Sequence, residues 1–396
     1  MDCRVKPGNE GVVAFGSSPQ PNLYLSVRHS MGPYSGAPNL KFSAGIDFFL
    51  GQCERLLFSL GSHFSLTSLA AALLVATAFY VVKRLKRGRR VRARTILRAL
   101  FPRHIVHSRS SQADIGYLFF NVFVFGVMFG WSVLSYQSVA NGIVSTLGAL
   151  FGMPAPSALP AWASRAVITV MLFLAYELGY WFNHWLSHKV PLLWEFHKVH
   201  HTAEVLTPLT NFRVHPIYGF VFANIIAFST AVASGLGHYM FGDATYQYAL
   251  ADTNLILVLF IHAYVHLQHS HVWLAFTGWL GRVLVSPAHH QVHHSADPKH
   301  FNKNFGSCLA LWDWMFGTLY VPAKEREPIT FGVLGHTDAH TVKAELVQPL
   351  VSAGRRLFGR VPEGLGLAQP LAPGVVAHRL DAAVDGRPYR RDTGEV

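Results

Sequence analysis

The stretch 64–94, "FSLTSLAAALLVATAFYVVKRLKRGRRVRAR", decides the class of fold. Its apolar part, 64–82, is close to the ~20 residues a helix needs to cross the hydrocarbon core of a bilayer. A run of lysine and arginine follows at 83–94. Positive charge gathers on the cytoplasmic side of spanning helices, so the carboxyl end of this helix is expected to face the cytoplasm. The composition agrees: of 396 residues 51% are hydrophobic and 14% charged, with a mean hydropathy of +0.27. That balance is too apolar for an ordinary soluble domain. A net charge of +12 would suit a nucleic-acid partner, but much of it sits in this one run beside an apolar segment. A topology signal explains the run better, and no nucleic acid is expected.

Working outward, further spans are expected at about 115–136, 166–186, 218–236 and 250–265, the last two as a hairpin. The Gly/Pro/Ala-rich stretch 141–160 reads as a weakly ordered connection. These readings give an all-α integral membrane protein with about four to five transmembrane helices and a cytoplasmic helical cap. The start "MDCRVKPGNE" lacks the charged-then-apolar pattern of a cleavable signal. Residues 1–62 read as a loosely ordered leader, and the chain after about 350, rich in Gly, Pro, Arg and Ala, as a disordered tail. Cys3, Cys53 and Cys308 lie far apart and form no C-x-x-C pair. A disulfide framework and a thiolate zinc site are therefore not expected, and any metal must take nitrogen or oxygen ligands.

Sixteen of the 23 histidines fall between 184 and 300. His184 and His188 are four apart in "HWLSH". His197, His200 and His201 in "HKVHH" follow an i, i+3, i+4 pattern that His290, His293 and His294 repeat in "HQVHH". On a helix such residues share a face, with beta carbons about 5–6 Å apart. Protonated imidazoles that close would repel, and neutral ones gain little from packing, so ligation is the better reading. Eight imidazoles exceed one tetrahedral site and favour two metals. Imidazole alone does not select among zinc, copper, iron and nickel. The glutamate of H-E-x-x-H is absent, which removes the base of a zinc protease.

The run "YELGYWFNHWLSHKVPLLWEFHKVHH" at 176–201, "RVHP" at 213–216, "QHSHVWL" at 268–274 and "SPAHHQVHHSADPKHFNKNFGSCLALWDWMFGT" at 286–318 closely resemble the fatty acid hydroxylase/sterol desaturase superfamily of integral-membrane oxygenases. Its H-x3-H, H-x2-H-H and H-x2-H-H boxes are all present, in order. The resemblance implies O2-dependent hydroxylation or desaturation of a lipid at a non-haem centre of two iron ions, with O2 as co-substrate. It implies as ligands His184, His188, His197, His200, His201, His290, His293 and His294, with His269 as a further one. His215, His266 and His289 are supplementary candidates. Glu177, where relatives often have aspartate, and Asp313 are candidates for orienting a ligand, Glu177 by accepting an imidazole N–H.

The resemblance divides the chain into the leader 1–62, N-terminal helices and basic linker 63–164, a catalytic domain 165–322 and an extension 323–396. The histidine boxes are expected on the cytoplasmic side. No haem-binding H-P-G-G, G-x-G-x-x-G or C-x-x-C-H pattern occurs, so electrons are expected from a separate ferredoxin-, cytochrome b5- or reductase-type protein. Trp181, Trp185, Trp194, Trp273 and Trp279 are expected mostly at the membrane interface. The competing readings are a divalent-metal transporter and a metal-binding scaffold. A transporter would place its ligands near the bilayer midplane, and a scaffold would lack box members.

Overall fold

The computed structural model describes residues 42–125, 134–154, 157–242, 246–333 and 341–359. The expected leader up to residue 41, residues 126–133 of the expected second span and the tail from 360 lie outside these. The fold is all-α, relieved by one short hairpin. In chain order the helices are α1 (Phe42–Phe58), α2 (Leu66–Lys86), α3 (Ala93–Leu100), α4 (Arg103–Val106), α5 (Arg109–Phe120), α6 (Tyr136–Phe151), α7 (Ala161–Lys189), α8 (Pro191–His201) and α9 (Pro216–Phe241). The hairpin strands β1 (Ala249–Leu250) and β2 (Thr253–Asn254) lead into α10 (Leu255–Gln268). Then come α11 (Leu280–Val283), α12 (Pro287–His293), α13 (Leu311–Met315) and α14 (Val342–Phe358).

Among the described residues three helices are long and apolar enough to cross a membrane: α2, α7 and α9. The expected fifth span is the shorter α10, which carries a π-helical stretch at Ile261–Val265. Of the expected second span, α5 continues into a π-helical turn at Asn121–Phe125. Of the stretch expected to be a weakly ordered connection, the part up to Phe151 belongs to α6 instead. Small residues explain the difference, because they let helix backbones approach closely. A Cβ built on Gly235 of α9 would lie 2.6 Å from the Ala140 carbonyl oxygen of α6. At Gly179 of α7 it would meet Ser229 Oγ of α9 at 2.4 Å. The small residue that lets α6 pack is thus Gly235 on its partner α9, while Gly142 and Gly152 of the stretch itself meet nothing within 4 Å.

Helices α7 and α9 pack together, and α10 lies beside α7 through Phe173, Leu257, Ile261 and Val265. The end of α7, the start of α9 and the end of α10 meet at one pole. Pro191 at the first position of α8 turns the chain there, where its missing N–H costs no helical hydrogen bond. The buried stripe of α2 (Ala72, Ala76, Tyr80) rests against Leu267 and Val272, which flank His269. A second core of Ala203, Leu206, Trp273, Ala288, Val292, Ile329 and Phe331 closes the cap around α12.

Candidate metal centre

The pole gathers nine histidines into two adjoining groups. Ligand-type nitrogens of His184, His188, His197, His201 and His293 lie within 4.8 Å of one another, and those of His200, His269, His290 and His294 form a second such group. Helical pitch sorts each H-x2-H-H box between them. His197 with His201 and His290 with His294, one turn apart, stay together, while the intervening His200 and His293 face the other group. The rings of His201 and His294 stack across the boundary at 4.6 Å.

The nitrogens suit a metal better than each other. His269 Nε2 lies 3.1 Å from His200 Nε2, 2.9 Å from His290 Nε2 and 3.2 Å from His294 Nε2, and the last two are 3.2 Å apart. A neutral imidazole has one N–H, so so many contacts cannot all be hydrogen bonds. Nitrogens bound at ~2.0–2.1 Å to one ion are spaced ~2.8–3.4 Å in octahedral or tetrahedral geometry. In the first group the buried Nε2 atoms of His184, His188 and His293 have no hydrogen-bond partner. The residues fit metal ions at both groups.

Carbonyls fix the rings. His184 Nδ1 donates to the Phe305 carbonyl at 2.9 Å and His293 Nδ1 to that of Lys303 at 2.8 Å, leaving each Nε2 lone pair turned inward. Burial, reinforced by neighbouring imidazoles, holds His197, His201, His290 and His294 well below the usual histidine range. It pushes His200 down to about 3 and His293 to about 4. Neutral rings at physiological pH are the form that binds metal.

Asp313 acts on this layer at one remove. Its carboxylate accepts from the Phe305 and Gly306 N–H groups at 2.9 and 2.8 Å, from Thr318 Oγ1 at 2.6 Å and from Trp181 Nε1 at 3.2 Å. It thus pins the peptide whose carbonyl orients His184. Asn302 and Asn304 allow the loop's turn, with φ of 58° and 59° in the region asparagine tolerates. Glu177 holds no imidazole: its Oε2 accepts from the Cys308 and Leu309 N–H groups at 2.9 and 2.8 Å, fastening the same chain to α7.

The three supplementary candidates lie outside both groups, for separate reasons. His215 caps α9 by accepting from the Ile217 N–H, and its Nε2 meets the Leu346 carbonyl at 3.1 Å. His266 Nε2 pairs with Ser68 Oγ at 3.0 Å. His289 takes the glutamate's part in a capping box with Ser286, and its Nε2 donates to the Gly281 carbonyl at 2.9 Å. Trp194 and Trp273 also leave the expected interface. Trp194 packs 4.9 Å from His188, and Trp273 is buried in the cap with Nε1 on the Ala323 carbonyl.

Sequence reasoning missed a buried charge network behind the second box. In "RVHP" the buried anchor is Arg213. It donates to Asp114 Oδ1 at 2.7 Å, the Ser110 carbonyl at 2.6 Å and Thr202 Oγ1 at 3.1 Å. Its Nη1 lies 3.6 Å from Glu345 of α14, and Glu345 Oε2 accepts from Tyr117 and Thr202. A second tie joins Arg356 of α14 to Glu195 of α8 at 2.6 Å. The only available signal was the pairing of a charged residue with a box-flanking proline, and it pointed equally to His215.

An all-α fold with three membrane-length apolar helices and nine histidines, most of them buried, converging at one pole defines a class of membrane protein with a candidate metal centre. The fatty acid hydroxylase family model matches residues 169–318. Over that region the chain is similar to the fatty acid hydroxylase superfamily, whose members are oxidoreductases that hydroxylate or desaturate lipids. It is 27% identical over 203 residues to alkylglycerol monooxygenase of Xenopus tropicalis, covering 48% of this chain and 41% of that one. To ornithine lipid hydroxylase OlsE of Rhizobium tropici it is 26% identical over 226 residues (56% and 62%), and to human cholesterol 25-hydroxylase 30% over 179 residues (43% and 60%). The aligned part thus spans less than two thirds of each of these relatives. No solved structure matches the chain.

Proposed function

We propose that this protein is a membrane-bound lipid oxygenase that inserts one atom of O2 into a lipid C–H bond, using two iron ions held by the nine histidines and two electrons from a separate donor protein. The convergence of the two histidine groups carries this reading. Hydroxylation is favoured over desaturation because alkylglycerol monooxygenase, ornithine lipid hydroxylase and cholesterol 25-hydroxylase are all named for oxygen insertion. The balance is one lipid C–H, one O2, two electrons and two protons, giving the alcohol and water.

His184, His188, His197, His201 and His293 would hold one ion, and His200, His269, His290 and His294 the other. When bound, the metal pair supplies the two-electron activation of O2 that an unactivated C–H bond requires. The chain supplies the surroundings. The Lys303 and Phe305 carbonyls hold the Nδ1 protons of His293 and His184, so that the opposite nitrogens stay ligands. Phe305, itself fully buried, packs its ring 5.0 Å from that of His188 and helps keep bulk water from the site. The lipid enters from the bilayer, and the pole with its basic run faces the cytoplasm, where a soluble donor has access.

The test is a comparison of lipids from cells making the wild type with cells making His290→Ala, both grown under 18O2. A lipid that gains one 18O atom only with the wild type is expected. A lipid that loses two hydrogens without gaining oxygen would replace hydroxylation by desaturation. Identical lipids in both cells, with the wild type iron-loaded and supplied with reductant, would overturn the oxygenase reading.

A further inference from the structure

Among the described residues, a cluster of large apolar side chains stands exposed on the cap itself. Trp279 is 71% exposed, Trp314 52%, Met315 61% and Phe316 55%, with Leu280 also open. They come from two separated turns, each with a glycine in the left-handed region: Gly278 at φ 59° and Gly317 at φ 73°. The turns are held together. Helix α11 packs on α13, and the Ala310 N–H donates to the Val283 carbonyl at 2.8 Å. Surface patches of this kind are uncommon on water-facing protein and mark an interaction site.

The patch continues the exposed apolar face of a helix long enough to cross a membrane. On α7 the exposed apolar residues Val167, Val170, Leu178 and Phe182 form one stripe at helical spacing. Where that stripe ends, Phe316 stacks on Trp181 at 4.4 Å and Trp185 stacks on Trp181 at 5.9 Å. Depth agrees as well. From exposed Trp162 near the start of α7 to Trp181 is ~28 Å at 1.5 Å per residue, about the thickness of the hydrocarbon core. Exposed Trp162 stands at one end of that length as an interfacial anchor, and at the other the buried Trp181, its Nε1 on Asp313, ties α7 to Phe316 of the cap. The cap residues therefore lie at the border of the acyl chains.

We infer that the turns 277–280 and 314–317 form a foot of the cap that is seated in the bilayer beside α7, with lipid acyl chains as its partner. The foot shares α13 with Asp313, whose carboxylate pins Phe305 and through it His184. Its seat in the membrane thus braces one side of the metal centre.

Single cysteines at Trp279, Leu280 and Met315, and at Lys299 on the polar side of the cap, are introduced in a Cys3→Ser, Cys53→Ser background. Cys308 is fully buried and stays unlabelled. Each variant, its iron content checked against the background protein, carries an environment-sensitive fluorophore and is placed in nanodiscs with or without lipids brominated on the acyl chain. Loss of fluorescence with brominated lipid at 279, 280 and 315, and none at 299, is expected. Equal response at all four positions would overturn the inference. So would quenching that ignores bromination and rises with the number of protein copies per disc, which would make the foot a contact between copies of this chain.

Discussion

At the scale of single residues, ligand histidines and structural histidines differ in what their second nitrogen does. His289 and His290 are neighbours in sequence, yet His289 has both ring nitrogens occupied by the turn around Ser286 and Gly281, while His290 Nε2 faces His269 and His294. His289→Gln, which keeps a capping-box side chain, is expected to retain full metal content and to lose no more than ~1 kcal/mol of stability. His290→Ala is expected to lose metal. Measuring iron per chain in both variants checks the distinction, and equal losses would contradict it. Asp313→Ala tests the layer behind the ligands. It leaves the Phe305 and Gly306 N–H groups buried without their acceptor, a cost of ~1–3 kcal/mol for each such group. A lower melting temperature together with reduced metal in the group containing His184 is expected. The box spacings pointed in the sequence to the histidines that the fold gathers into two groups. The carbonyls of Lys303 and Phe305 were not, because a backbone acceptor leaves no trace in residue type.

At the scale of elements, the helices that carry the boxes were legible and their restraints were not. Long apolar runs gave α2, α7 and α9, and the i, i+3, i+4 spacing placed α8 and α12. Helix α6 was hidden because its Gly, Ala and Ser content resembles a linker when read by composition, while the glycine that lets it pack, Gly235, lies on α9. Helix α14 was hidden for another reason: Pro349 lies inside it, its second half runs into a stretch rich in Gly, Pro, Arg and Ala, and its contact with the rest is partly ionic. That contact gives a sharp expectation. Arg213→Ala leaves Asp114 and Glu345 as buried charges without their counter-ion, a loss of ~3–5 kcal/mol by the usual cost of breaking a buried pair. Limited proteolysis should then cut within 341–359 faster than in the wild type, with metal lost as the second box loosens. Unchanged protection of α14 would show that its apolar contacts alone hold it.

At the scale of the whole molecule, the fold brings the ends of three helices and a cap to one pole and gathers nine imidazoles there, most of them buried. Composition and the order of the boxes announced the class of protein. Which face of each box helix joins which histidine group followed only from how the rings of α8 and α12 meet. The division into two groups yields the most direct test of the account: iron per chain, by elemental analysis of protein purified in detergent and loaded anaerobically, for the wild type, His188→Ala and His294→Ala. The account predicts about two ions in the wild type, and in each variant a loss confined largely to the group that carries the changed histidine, read by Mössbauer spectroscopy. Iron that stays at the wild-type level in both variants would contradict it.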